Sequence, residues 1–360
     1  MLHSLQEIRI EHTCTPKAKP AANQLGFGQY FTDHMFIMDY TAGAGWHDPR
    51  IIPYGPMAYD PSVMVFHYGQ AVFEGLKAYC AEDGRILLFR PEKNVERLNL
   101  SSDRLCIPAL DEAFTLKAIK KLVQLEQDWI PEAPGTSLYI RPFIIATDPF
   151  LGVRPSNTYQ FMIILSPVGN YYAEGLNPVK IYVETHYVRS VKGGTGYVKT
   201  AGNYAASIKA QEEAHKKGFT QVLWLDGVER KYIEEVGTMN VFFVMGDEVI
   251  TPALEGSILG GVTRDSAIRM LENWGLSVRE RKLAISDVIE AAASGELKEA
   301  FGTGTAAVIS PIGALCMDDR NIVINHMEIG ELSSRLYKEM TEIQRGSRPD
   351  PFGWTVEVSR

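Results

Sequence analysis

Apolar residues in this chain come in short runs bounded by glycine, proline, asparagine and aspartate, and that punctuation restricts the fold more than any other feature. The longest runs, such as 161–165 and 241–245, fall far short of the ~20 residues a membrane-spanning helix needs. They have the length and the aromatic or β-branched content of buried strands. Strands are expected at 36–40, 85–89 after the Asp83-Gly84 turn, 137–145, 159–166, 179–186, 221–225, 241–245, 248–251 and 307–310. Helical patterns interleave with them. One is opened by Pro91 and reaches about Leu105; a second runs from about Asp111 and stops before Pro131. Others cover 203–217, 262–274, a short capped stretch from Ser286, and 331–344. Residues up to Gly28 read as a loose leader, and 46–59, rich in proline and glycine, as loop. The mixture lacks the regular βαβ alternation of a doubly wound sheet, so an α+β (mixed α/β) class is expected. At 360 residues there is material for two domains. The expected division is a small N-terminal domain at 1–169, an interdomain loop at 170–178, and a larger C-terminal domain at 179–360 that carries Lys199.

One stretch stands apart: Gly193-Gly-Thr-Gly-Tyr-Val-Lys199-Thr-Ala-Gly-Asn-Tyr204. It sets a single lysine on a sterically bare turn just ahead of a helix that Asn203 can cap and Gly218 can close. A solvated surface lysine needs no such setting, although most lysines are of that kind. A lysine that must form a Schiff base needs a fixed position and a partly desolvated amine. The stretch also approaches a P-loop, but Val198 stands where the glycine before the lysine must be, and its side chain blocks the backbone curl around phosphate.

Other classes are disfavoured. Net charge is −8 with no block of Lys or Arg, which argues against nucleic acid as a partner. Cys14, Cys80, Cys106 and Cys316 are scattered, with no C-x-x-C. Four cysteines in this length suit a reducing cytoplasm, and the start has neither the apolar core of a signal peptide nor a presequence. His67, His186 and His215 are isolated, no H-E-x-x-H occurs, and no metal is expected. There is no G-x-S-x-G elbow.

If Lys199 meets an aldehyde cofactor, pyridoxal 5′-phosphate is the natural one. Its phosphate asks for backbone N–H groups at a helix start, hydroxyls and an arginine. Its ring nitrogen asks for a carboxylate. Leu259-Gly-Gly-Val-Thr263 opens a helix, and Gly302-Thr-Gly-Thr-Ala-Ala307 offers a second small-residue cluster. The latter also fits G-x-G-x-x-A weakly, without a clear strand before it and with Ser310-Pro311 too close for a long helix. Glu234 and Glu235 place carboxylates just before a strand, and Arg97 rides on a helix. Taken singly, each is as readily a solvated surface group.

Glu235-Val-Gly-Thr-Met-Asn-Val-Phe-Phe243 resembles the signature of the class IV, fold type IV, D-amino-acid-transaminase-like pyridoxal-phosphate enzymes. Val72-Phe-Glu-Gly-Leu-Lys-Ala78, Leu138-Tyr-Ile-Arg-Pro142, Tyr197-Val-Lys-Thr-Ala-Gly-Asn-Tyr204, Gln221-Val-Leu-Trp-Leu225 and Phe301-Gly-Thr-Gly-Thr-Ala-Ala307 resemble the branched-chain aminotransferases in particular, in order across nearly the whole chain. The resemblance implies that Lys199 is the Schiff-base lysine and proton carrier, and that Glu235, directly before Val-Gly-Thr-Met-Asn, faces the ring nitrogen. It implies Tyr204 on the ring hydroxyl, and Arg97, Val262, Thr263 and Thr305 on the phosphate. Substrate contacts would come from Tyr139, Ala306 and Ala307 for the carboxylate, and from Phe73, Tyr171 and Thr238 around the side chain, with Arg141 near them. Tyr68 would reach the site across a homodimer interface. The reaction implied moves the amino group of leucine, isoleucine or valine to 2-oxoglutarate. A D-amino-acid transaminase or aminodeoxychorismate lyase of the same fold is the alternative, and a non-enzymatic phosphate- or nucleotide-binding protein a remote one. The thiol pair that mammalian-type members carry after the Gly-Thr-Ala cluster reads Ala307-Val-Ile-Ser310 here, so no redox control is expected there.

Overall fold

The computed structural model describes residues 7–169 and 176–358. The chain divides into two compact units. Unit 1 is Met1–Tyr171, Lys199–Ala201 and Glu342–Arg360; unit 2 is Tyr172–Val198 and Gly202–Thr341. The three-residue piece Lys199–Ala201 and the C-terminal residues thus pack with the N-terminal part, while both neighbours of that piece belong to the other unit.

Unit 1 contains strands β1 (Arg9–Ile10), β2 (His34–Thr41), β3 (Gly45–Pro53), β4 (Ala71–Phe73), β5 (Leu76–Cys80), β6 (Ile86–Phe89), β7 (Ser137–Ala146) and β8 (Thr158–Val168). Its helices are α1 (Met64–Tyr68), α2 (Pro91–Arg104) and α3 (Glu112–Leu125). Its sheet runs β1-β3-β2-β8-β7-β5-β6 and ends on the C-terminal strand Thr355–Val358, with β4 on β7. All pairings but β1–β3 are antiparallel. The side chain of Asp111 caps α3 by accepting from the Phe114 N–H at 2.7 Å. Phe114, Ala118, Ile119, Leu122 and Val123, three or four apart, make the buried stripe of α3. That stripe packs with Phe36, Leu138, Ile140 and Phe161 of the sheet.

Unit 2 contains β9 (Val179–Glu184), β10 (Gln221–Leu225), β11 (Ile233–Val236), β12 (Asn240–Met245), β13 (Glu248–Thr251), β14 (Ser277–Glu280), β15 (Leu297–Gly304), β16 (Val308–Met317) and β17 (Arg320–Val323). They form one sheet in the order β11-β10-β9-β16-β15-β12-β13-β14, with β17 on β16. Helices α4 (Ala201–Lys216), α5 (Val262–Asn273), α6 (Ile285–Ser294) and α7 (Glu331–Gln344) complete the count among the described residues. One core gathers Ile181, Leu223, Val241, Phe243 and Val288; α4 buries Ala210 and Ala214 with Val222 and Trp224.

The structure corrects several sequence expectations. Residues 46–59 are not loop throughout, because β3 occupies Gly45–Pro53. The pairing skips register between Ile37 and Asp39, opposite Asp48 and Pro49, and Asp48 has φ 51°. This bulge takes up the proline that hides the strand from a pattern reading. The Gly302 cluster does follow a strand, β15, but a turn and β16 come next, so the hairpin has no helix for a dinucleotide fingerprint. Asn203 does not cap α4. It lies in the first turn, and its amide donates back to the carbonyls of Thr195 at 2.7 Å and Val198 at 2.9 Å.

Lys77 on β5 is buried, and burial, then the Arg345 guanidinium, brings its ammonium down to about 8 from 10.5. The folded chain therefore releases this proton near pH 8, while the unfolded chain holds it to 10.5. Unfolding takes up a proton between those values, so this residue makes stability rise with pH there. Relative to a Lys77→Met variant, the parent should gain on the order of 3 kcal/mol of stability between pH 7 and pH 10.5. Denaturant titrations of both proteins across that range test it; a constant gap would refute it.

Candidate active site

In unit 1, Lys199 is held through its backbone. Its N–H donates to Ser101 Oγ at 2.9 Å, and its carbonyl accepts from the Phe73 N–H at 3.1 Å. Thr200 adds a hydroxyl bond to the Ala71 carbonyl at 2.9 Å and a bridge to Val72. These backbone bonds fix the lysine on β4. Its half-buried amine lies 4.8 Å from the centre of the Phe73 ring. The Arg141 guanidinium meets the same ring at 4.8 Å and donates to the Tyr139 hydroxyl at 3.1 Å. Unit 1 therefore brings Phe73, Tyr139, Arg141 and Lys199 together.

Arg97 is half-buried on α2, and Glu74 engages it on two edges, Nε to Oε1 at 2.6 Å and Nη2 to Oε2 at 3.0 Å. Asn94 donates to Glu74 at 2.8 Å. Burial alone would push the Glu74 carboxyl up. The guanidinium of Arg97, the Lys199 ammonium and the Asn94 amide outweigh it and hold the group below the usual carboxylate range. Glu74 orients Arg97 and sets a negative charge near the lysine.

In unit 2, Glu235 lies within β11 rather than just before a strand, opposite Trp224 of β10. It is 2% exposed. One oxygen accepts from the Leu259 N–H at 2.8 Å; the other meets Arg189 Nε at 3.0 Å. Arg189 also donates to the carbonyls of Ser257 at 2.9 Å and Gly196 at 3.2 Å. A Cβ on Gly196 would stand 2.1 Å from the Ser257 carbonyl oxygen, so the bare turn before Lys199 is a packing requirement. Glu235, Arg189, Tyr204 and Thr238 line one cavity. Two residues beyond Leu259, Gly261 caps α5 without a side-chain hydrogen bond, and Val262 and Thr263 form its first turn. A Cβ on Gly261 would fall 2.1 Å from Asn240 Oδ1.

Thr305, Ala306 and Ala307 form the turn between β15 and β16. Tyr68 ends α1, exposed, and its hydroxyl donates to the Leu151 carbonyl. Tyr171 lies outside the described residues. Sequence reasoning left Glu74, Asn94, Arg189 and Ser257 without roles. Glu74 sits inside a segment already singled out, whereas Arg189 is a lone cation with no local signal. No group of acids, histidines and cysteines among the described residues suits a metal.

A fixed amine, a buried carboxylate backed by a cation, and a glycine-capped helix start are the parts of an enzyme that moves amino groups. The match to the family description "Amino-transferase class IV" covers residues 71–315, and the chain belongs to that family. Over 354 residues it is 63% identical to branched-chain-amino-acid aminotransferase 2 of Bacillus subtilis (strain 168), with 98% of each chain covered. It is 58% identical over 352 residues to branched-chain-amino-acid transaminase 1 of the same organism, covering 98% of this chain and 99% of that one. The solved branched-chain amino acid aminotransferase of Escherichia coli superposes with TM-score 0.76 at 25% identity, over 90% of this chain and 99% of that chain. The expected α+β, fold type IV class and the expected aminotransferase family both hold.

Proposed function

We propose that this chain is a pyridoxal-5′-phosphate-dependent branched-chain-amino-acid aminotransferase acting between leucine, isoleucine or valine and 2-oxoglutarate. The observation that carries it is Lys199, its backbone fixed by Ser101 and Phe73 and its amine beside an aromatic ring and a buried carboxylate. The residues present fit the cofactor. The first N–H groups of α5 lack a capping side chain, Thr303 Oγ1 is a buried hydroxyl without a hydrogen-bond partner in the structure, and Glu235 is a buried, fixed carboxylate. These suit a phosphate and a protonated ring nitrogen.

When bound, the cofactor supplies an aldehyde for amines and a ring that accepts the electron pair left when a Cα–H bond breaks. Lys199 takes the Cα proton on Nζ and returns it. Glu235 holds a proton on the ring nitrogen, and Tyr204 hydrogen-bonds the ring hydroxyl. Val262, Thr263, Thr305 and Arg97 hold the phosphate. Tyr139, Ala306 and Ala307 orient the substrate carboxylate, Phe73 and Thr238 border its side chain, and Arg141 receives the second carboxylate of glutamate. Leucine, isoleucine and valine differ by about one methylene, worth about 1–3 kcal/mol, so the pocket discriminates weakly among them.

The homodimer belongs to the same reading. Phe66, Tyr68, Leu151 and Val153 are large apolar side chains exposed on α1 and the loop tied to it by the Phe150 N–H to the Ser62 carbonyl. A contiguous apolar face of this kind suits a second copy. A cytoplasmic enzyme is part of the same reading, which the four free cysteines support. Purified protein should convert L-leucine with 2-oxoglutarate to glutamate and sediment at the mass of two chains. Turnover of D-leucine alone would instead mark a D-amino-acid transaminase, and a single-chain mass would remove the dimer.

A further inference from the structure

We propose that Asn240 is a positioning residue for the cofactor's phosphate: by fixing Leu259 and Gly261 it aims the first N–H groups of α5, together with the Thr303 hydroxyl, at one anion. This role rests on the proposed cofactor. Every residue it needs lies in unit 2.

Glu235 and Asn240 flank a tight turn. Val236 and Met239 exchange both backbone hydrogen bonds at 2.9 Å around Gly237-Thr238, with Gly237 at φ 56°. The two flanking side chains both reach Leu259. Its N–H donates to Glu235 Oε1 at 2.8 Å, and its carbonyl accepts from Asn240 Nδ2 at 2.8 Å. Leu259 is thus gripped at both of its backbone groups. A carboxylate at position 240 could not make the second of these bonds, because it has no proton to donate. Two glycines follow. A Cβ on Gly260 would meet only Leu254 Cδ1, at 3.4 Å, whereas one on Gly261 would stand 2.1 Å from Asn240 Oδ1. Gly261 is bare because this amide lies against it.

What Asn240 fixes is the direction of a helix start. The bond from the Asp265 N–H to the Gly261 carbonyl, at 3.0 Å, opens the α5 ladder. The N–H groups of Val262, Thr263 and Arg264 come before it, and a glycine N-cap lends them no acceptor. Such a start suits an anion. A second observation points to the same place. Asn240 pairs with Thr303 of β15, and directly opposed residues of an antiparallel pair share a face of the sheet. Thr303 is 2% exposed, and its Oγ1 has no hydrogen-bond partner. Helix α5 packs on that strand. A buried hydroxyl left without an acceptor is costly, and a phosphate oxygen relieves it. Groups that converge on one ligand must be held to within about 0.5 Å, so a Leu259 carbonyl released from Asn240 would loosen the whole set. Because Leu259 is shared, the carboxylate of Glu235 and the start of α5 are positioned through one residue.

The test starts from holoenzyme and reads affinity, not turnover. Parent and variants are equilibrated by dialysis against pyridoxamine 5′-phosphate and, separately, against pyridoxamine, and the ratio of the two dissociation constants gives the preference for the phosphorylated form. The parent should prefer it strongly. Asn240→Ala should cut that preference about tenfold, the worth of one hydrogen bond in a buried, charged setting. Asn240→Asp, of the same shape, should cut it at least as far, because a carboxylate cannot donate to the Leu259 carbonyl and repels phosphate. Thr303→Val, which keeps the outline of the side chain, should lower it as well. An asparagine that only supported the fold would lower the melting temperature and weaken both ligands alike, leaving the preference where it was. An unmoved preference in either Asn240 variant would therefore overturn the positioning role, and one in Thr303→Val would take that hydroxyl out of the cradle. Should Asn240→Ala not fold, Asn240→Asp carries the comparison. A parent that does not prefer the phosphorylated form, or that gives no borohydride-reducible adduct on Lys199, would fail the proposed cofactor instead.

Discussion

Lys199→Ala is expected to lose transamination by more than about a thousandfold, since positioned proton transfer alone contributes about 10²–10⁴ and covalent capture is lost with it. The fold should survive. The hydrogen bonds to Ser101 and Phe73 are made by the lysine's backbone, which alanine keeps. Glu74 retains Arg97 and Asn94 as partners. The variant should melt close to the parent, bind cofactor without forming a borohydride-stable adduct, and recover part of its rate with added small primary amines. Steady-state rates and mass spectrometry of the reduced peptide make the comparison, and full activity in the variant would take this lysine out of the chemistry.

Glu235→Gln should lower kcat/KM by roughly 10²–10³, the cost of losing one preorganised charge from a water-poor site. The amide matches the carboxylate in shape and can still accept from the Leu259 N–H, but it does not neutralise Arg189, whose side chain is 6% exposed. Breaking a buried pair in this way costs about 3–5 kcal/mol, so a lower melting temperature is expected as well. The diagnostic is the split between parameters, kcat falling more than KM rises. A variant that is less stable yet turns over normally would leave Glu235 a structural partner of Arg189 only.

Much of the fold was legible because some segments are consistent at every level. The helix 331–344 and the α3 stripe show clean periodicity, and the structure places helices there. Several of the strands that escaped are ones where local rules conflict. β3 carries Pro49 in a bulge, β15 has Lys298, Glu299 and glycines in its sequence, and β14 and the C-terminal strand are four residues long. Asn203 shows the limit of capping signals: an asparagine at a helix start reads the same whether it caps or reaches back, and the Thr195 and Val198 carbonyls decided it. The site was legible as residue types through the segments around Lys199 and Glu235. Their partners were not. The pairing of Glu74 with Arg97 joins residues 23 apart, and that of Arg189 with Glu235 depends on a loop crossing, so neither leaves a local trace.

Because the backbone passes from one unit to the other after Tyr171, Val198, Ala201 and Thr341, no single cut yields two halves that each keep their own residues. Such a molecule is not two modules joined end to end. The piece bearing the amine is donated by one unit's stretch of chain to the other, so gene fragments exchanged at the apparent midpoint would part the lysine from the strands that seat it.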